Sequence, residues 1–259
     1  RRFKLVHVHF GREIIEVATF RSNHPKGDED EDSNLSSRNE SGRILRDNVY
    51  GSLEDDAQRR DFTINALYLD ASCERILDYA NGVHDIRNRL IRLIGDPEKR
   101  YQEDPVRMLR AVRFAAKLDF DIEKHSAAPI PRLARLLHEI PSARLFDEVL
   151  KLFLAGNAEH TFELLLEYNL FAPLFPAAAA ALKRDPEYAG ELIRLALAST
   201  DRRIEQGKTV TPAFLFAALL WPALPTRVSE LQGKGMPAIP AMQEAAHQLI
   251  AEQCQRIAI

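Results

Sequence analysis

The hydrophobic period of this chain changes once, near residue 85, and that change limits the folds open to it. Before it, residues 3–10 (FKLVHVHF) and 13–20 (EIIEVATF) are β-branched and aromatic, with Gly11-Arg12 between them. That is the pattern of two strands joined by a tight turn. Residues 74–78 (ERILD) read as a further short strand. Residues 62–69 (FTINALYL) suit strand or helix. The acids Glu54, Asp55 and Asp56 precede them and favour a helix first turn, so the expectation is helix. From Asp85 onward the apolar period is 3.6. Asp104-Pro105 reads as N-cap and first helical residue, with Met108, Val112 and Ala115 as the stripe behind it. Helical patterns recur at 128–139, 142–155, 158–169, 186–199, 212–221 and 240–256, no strand is expected after residue 95, and no internal repeat is visible. The expected class is α+β: a mixed α/β part followed by helices.

Residues 21–48 break the pattern with Pro25, Gly27, five consecutive acids at 28–32 and Gly42, and read as a long polar loop. The chain opens on Arg1-Arg2-Phe3 without Met and ends on Arg256-Ile-Ala-Ile259, which reads as a cut through a helix. The expectation is a piece of a longer protein.

At 259 residues the chain can bury a full core. Its net charge is −3, which excludes a globally basic polyanion binder. The charge is uneven, however. Residues 87–117 hold nine Lys or Arg against four acids, enough to attract phosphate locally. Two cysteines, Cys73 and Cys254, cannot build a disulfide framework or a structural zinc site, which fits a reducing cytoplasm. No apolar run reaches the roughly 18 residues that read as a membrane span.

Two stretches carry chemistry. Asp56-Ala-Gln-Arg-Arg-Asp-Phe-Thr-Ile-Asn-Ala-Leu67 places Arg59-Arg60-Asp61 beside an apolar segment. Adjacent arginines on a helix point about 100° apart, so one reaches a ligand while the other pairs locally. Arginine holds phosphate through two parallel donors. Asp61 could order a metal, a ribose hydroxyl or Arg60, and Asn65 would share its helix face. Glu103-Asp104-x-x-Arg107 sets two acceptors one turn from a fork of donors, a pair able to match a base edge. Arg110 and Arg113 continue a stripe at spacing three, suited to successive phosphates. The plainer readings are a surface salt-bridge cluster at 59–61 and an N-cap with solvated arginines at 104–113. His84-Asp85 lacks the companion ligands of a metal phosphohydrolase. His7-x-His9 gives two imidazoles on one strand face, too few for zinc.

Taken together these stretches resemble the bacterial poly(A) polymerase and tRNA nucleotidyltransferase family. Arg2-Phe3 through Arg21 looks like the strand pair after the catalytic hairpin, and Asp56–Leu67 like the Arg-Arg-Asp motif. Gly82-x-x-Asp85 looks like the hinge between head and neck. Glu103-Asp104-x-x-Arg107 looks like the amino-acid template, and Arg144-x-x-x-Glu148-x-x-Lys151 like the neck helix bracing it. The Leu45–Ser52 lead-in and Glu13–Arg21 look more like poly(A) polymerases than CCA-adding enzymes.

The resemblance implies a partial nucleotidyltransferase head at 1–83, a helical neck at 84–156 and a truncated helical body at 157–259. It implies AMP transfer from ATP to RNA 3′ ends with Mg²⁺. Arg21, Arg60, Asp61 and Asn65 would serve triphosphate and ribose, with Asp104 and Arg107 on the base. Arg110 and Arg113 would take phosphates, while Glu103, Arg144, Glu148 and Lys151 shape the neck. Asp61, then Glu16, are the candidate catalytic carboxylates. The family's Asp-x-Asp metal pair has no counterpart here, since Asp28, Asp30 and Asp32 lie in the polar loop. The chain alone is therefore expected to be inactive. CCA addition to tRNA and a non-catalytic RNA- or nucleotide-binding remnant are the alternatives.

Overall fold

In the computed structural model, which describes residues 5–22 and 49–258, the first hairpin forms as its turn requires. β1 (Leu5–Phe10) pairs antiparallel with β2 (Glu13–Ala18). Gly11 sits at φ +61°, the sign that the first central position of such a two-residue turn needs. His7 faces Glu16 and Val8 faces Ile15 in the register. Val6, Val8, Phe10, Ile15 and Val17 therefore share one face, all exposed. β3 (Arg21–Ser22) pairs with β4 (Val49–Tyr50). Arg21 and Ser22, read from the sequence as the start of the polar loop, are thus strand, while residues 23–48 with the acid run lie outside the described residues, as does the start of the Leu45–Ser52 lead-in.

The chain divides into two compact units, Arg1–Asp104 and Pro105–Ile259. In the first, α1 (Leu53–Arg59) opens with a capping box. Ser52 Oγ accepts from the Asp55 amide, and Asp55 Oδ2 accepts from the Ser52 amide. The acids at 54–56 do begin a helix, but it ends at Arg59 rather than running through 62–69. Phe62 is extended and bridges Leu93. A single 3₁₀ turn covers Thr63–Asn65, and β5 (Leu67–Asp70) pairs with β6 (Arg75–Asp78). Cross-strand pairing outweighs the acidic start signal here, as the β-branched and aromatic composition allows. α2 (Gly82–Arg87), β7 (Leu90–Ile91) and α3 (Pro97–Glu103) complete the unit. α3 was not expected, although Asp96 caps the Lys99 amide and Pro97 takes the first helical position. Ala57, Ala66 and Ile94 form its small core under Tyr68 and Ala80.

The second unit is helical. It holds α4 (Val106–Leu118), α5 (Lys124–Ala127), α6 (Ile130–Leu133), α7 (Ser142–Phe153), α8 (Ala158–Glu167), α9 (Phe171–Leu174), α10 (Pro176–Arg184) and α11 (Pro186–Glu205). α12 (Pro212–Leu220), α13 (Leu224–Gly233) and α14 (Ala238–Arg256) follow. The helix expected over 128–139 breaks into α6 and a 3₁₀ turn at Ala134–Glu139, with Pro129 and Pro131 restricting the run. A two-residue strand, Asp121–Ile122, corrects the expectation of none after 95. Phe162, Phe171, Phe175 and Phe153 meet in sequence through the interior, edge-to-face or tilted, with centroids 5.0–6.2 Å apart. Distant side chains finish the helix ends. Asp201 accepts from the Ala158 and Glu159 amides at the start of α8, and Arg256 donates to the carbonyls of Leu137 and Pro173.

Candidate functional site

Asp56 organises the arginine-rich turn. Its side chain is 5% exposed and receives Arg59 Nε at 2.9 Å, Arg60 at 3.2 and 3.3 Å, and the Tyr68 hydroxyl at 2.8 Å. The Arg21 amide adds a contact at 3.2 Å. Burial alone would raise the Asp56 pKa. Hydrogen bonds from Arg59 and Tyr68 and the charges of Arg59 and Arg60 outweigh it and hold the carboxyl below its usual range. Tyr68 is pushed up by burial and by its bond to Asp56. Arg59 and Arg60 both pair locally with the same carboxylate, Arg60 keeping the more exposed side chain of the two. Spacings of three and four from Asp56 put both within its reach. Arg60 still keeps 45% of its side chain exposed and lies over the Tyr68 ring at 5.4 Å. Asp56 thus gathers Arg59, Arg60 and the backbone of Arg21 around one point.

Asp61 and Asn65 do meet, though not on a helix face. Asp61 Oδ1 accepts from the Phe62 amide at 2.9 Å and from Asn65 Nδ2 at 3.1 Å, across the 3₁₀ turn. Glu16 lies elsewhere, on the exposed hairpin 3.4 Å from His7.

Gly82 approaches the same turn. A Cβ there would fall 2.3 Å from the Thr63 carbonyl oxygen. Asp78 accepts from the Ala80, Gly82 and Val83 amides and so starts α2. Burial would raise its pKa, but these bonds lower it. The buried Asp85 takes the Thr63 hydroxyl at 2.7 Å and Arg92 Nε at 3.0 Å. Asp85 therefore ties α2 to the Thr63 turn and to Arg92, rather than serving with His84 as a metal pair.

Sequence spacing did not disclose Arg100. Its buried guanidinium donates to the Arg59 and Arg60 carbonyls at 2.8 and 2.6 Å and to Glu103 at 3.2 Å. The Gly95-Asp96-Pro97 start of α3 was the available signal, since it sets Arg100 in the first turns of a helix. Asp104 is the C-cap of α3, in extended backbone before Pro105, and α4 begins at Val106.

In the second unit Arg107, Arg110 and Arg113 are half-buried on α4, among buried Met108, Leu109, Val112 and Ala116. Arg110 and Arg113 both lie over the Phe114 ring, at 5.3 and 4.6 Å. On α7, Glu148 is buried. It accepts from Lys151 at 2.8 Å and stands 3.9 Å from Arg113. Glu148 thus lies between Lys151 on its own helix and Arg113 of the α4 stripe, and Arg144 lies one turn earlier on α7.

Among the described residues no three His, Cys, Asp or Glu side chains converge on a point that could hold a metal ion. Asp61 Oδ1 serves an amide and Asn65, and Glu16 stands opposite a histidine. The described residues do not fit a magnesium site. No described helix is long and apolar enough to cross a membrane.

Residues 1–92 match the family model of the poly A polymerase head domain, and residues 119–182 match that of the probable RNA and SrmB-binding site of polymerase A. The chain carries the head and probable RNA-binding regions of the poly A polymerase family. It is 51% identical to poly(A) polymerase I of Salmonella typhimurium, over all of this chain and 56% of that protein. Identity is 50% with the Escherichia coli O6:H1 protein of the same name, at the same coverage. A CCA-adding enzyme of Lactobacillus helveticus is 41% identical over 46% of this chain and 30% of its own length. The chain spans little more than half the length of the polymerases it matches. Among solved structures, the Bacillus stearothermophilus CCA-adding enzyme in complex with CTP gives a TM-score of 0.54 at 26% identity, over 96% of this chain and 67% of that one. A tRNA nucleotidyltransferase complexed with a primer tRNA and an incoming ATP analog gives 0.55 at 19% identity, over 97% and 79%, a likeness of fold.

Proposed function

We propose that this chain is part of a polynucleotide adenylyltransferase that moves AMP from ATP to RNA 3′ ends, releasing pyrophosphate, in the cytoplasm. The observation that carries the reading is the convergence of Arg59, Arg60 and the Arg21 backbone on buried Asp56. A carboxylate so placed orients both guanidinium groups, and Arg60, with 45% of its side chain exposed, remains open to a triphosphate. Arg21, Arg60, Asp61 and Asn65 are assigned to triphosphate and ribose, and Asp104 and Arg107 to the adenine edge. Arg110 and Arg113 serve RNA phosphates, with Glu103, Arg144, Glu148 and Lys151 shaping the neck. Residues 1–83 act as head, 84–156 as neck and 157–259 as body. The activity implies magnesium, whose ligands are not among the described residues. Asp61 remains the candidate carboxylate nearest this chemistry, ahead of Glu16. Identity to the polymerases over the whole chain supports adenylate addition above CCA addition.

The test compares this chain with the same reading frame carried to the length of its relatives. Each is incubated with Mg²⁺, labelled ATP and an RNA oligonucleotide. Runs of adenylate from the longer protein are expected. Addition of CCA to tRNA alone, or no incorporation by either, would sink the reading.

A further inference from the structure

We infer that Arg100 is a positioning residue that couples the Arg59–Asp61 turn to Glu103 and Asp104, so that an anion held at the turn is felt at the end of α3. The inference rests on the phosphate reading of that turn.

Arg100 acts at a helix end. The last carbonyls of α1 have no donor within their helix. Arg100 supplies one: a single guanidinium nitrogen bonds the Arg59 and Arg60 oxygens together, at 2.8 and 2.6 Å. Its charge also suits the negative end of the helix dipole. Two consecutive carbonyls on one nitrogen set the orientation of the peptides that carry Arg60 and Asp61. Arg60 itself is extended, φ −65° and ψ 166°, so no further helical turn holds those carbonyls.

The other arm of the same group reaches Glu103 Oε2 at 3.2 Å. The Asp104 amide, in turn, donates to the Arg100 carbonyl at 3.2 Å. Guanidinium is planar and rigid, so rotation imposed at one arm is carried to the other. A lysine could replace the charge but not the fork. A role in packing alone would need only the charge and the stem.

The experiment follows backbone amide shifts by NMR while sodium tripolyphosphate is added to the chain. In the unmodified chain the amides of Arg60, Asp61 and Phe62 are expected to shift, and those of Glu103 and Asp104 with them. In Arg100→Lys the first group should respond with a half-saturation within about threefold of the unmodified value, while the second falls silent. Glu103→Ala, which leaves the two carbonyl bonds in place and removes the acceptor of the other arm, should silence the amide of residue 103 and serves if the lysine variant does not fold. Coupled shifts that survive in the folded variants would overturn the inference, as would a response at 60–62 without one at 103–104 in the unmodified chain. No response at 60–62 in the unmodified chain would remove the phosphate reading itself, and the inference with it.

Discussion

The Tyr68 hydroxyl donates to Asp56 across 2.8 Å, joining β5 to α1, at whose end the two arginines lie. The same oxygen, Oδ2, receives Arg60, and Arg60 Nε also approaches the Tyr68 hydroxyl at 3.1 Å. Phenol, carboxylate and guanidinium form a closed triangle. A triangle of this kind fixes the arginine more firmly than a single surface ion pair, which contributes about 1 kcal/mol or less.

Asp56→Asn is expected to lower stability at neutral pH by about 3 kcal/mol, because two guanidinium groups lose their buried partner. The pH dependence follows from a depressed carboxyl pKa. The stabilisation is fully present above the usual carboxylate value of about 4 and is lost as pH falls through the lower folded value. Urea midpoints between pH 2 and 6 check this. The variant should lose less stability than the parent below pH 4; equal acid losses would count against it.

Tyr68→Phe should cost about 1 kcal/mol and leave Arg59 in place, since Arg59 Nε bonds Asp56 independently. Binding of tripolyphosphate should weaken only as far as Arg60 loosens. Isothermal titration compares the two proteins.

Gly82→Ala is expected to destabilise the first unit by about 1–3 kcal/mol, since the added methyl meets the Thr63 carbonyl at 2.3 Å and backbone cannot step aside cheaply. Thermal unfolding reads this directly. An unchanged midpoint would mean that α2 and the Thr63 turn separate easily.

Much of this was legible in residue order. The Gly11-Arg12 turn, the strand at 75–78 and the long helices of the second unit follow from local periods and breakers. Asp61 with Asn65 was legible as a pair, though a 3₁₀ turn joins them. What could not be read was any bond across the chain. Nothing near Arg100 says that it turns back forty residues to Arg59 and Arg60. Likewise the strand at 67–70 is decided by its partner at 75–78, not by the acids before it.

Arg107→Ala, in the protein at the length of its relatives, should lower the preference for ATP over CTP by about tenfold, or 1.4 kcal/mol. Glu148→Ala should slow incorporation by a similar factor with ATP binding unchanged, because Arg113 and Lys151 lose their shared carboxylate. Single-nucleotide incorporation measures both, and an unaltered rate constant for Glu148→Ala would refute the brace.

The proposed RNA binding through α4 should weaken steeply with salt. Each phosphate neutralised adds about −0.7 to the slope of log affinity on log salt for a single strand. Arg110→Ala should make that slope shallower by roughly this amount, as fluorescence anisotropy would show.

Asp201 reaches back to the Ala158 and Glu159 amides, and Arg256 to carbonyls at 137 and 173. The helical unit is thus laced rather than stacked. A solenoid can lose its last repeat and keep the rest; here removal of the final turn of α14 would strip two carbonyls more than eighty residues upstream of their donor. Unfolding should accordingly be all-or-none across residues 105–258, and refolding slow for so helical a domain, because its closing bonds span long loops.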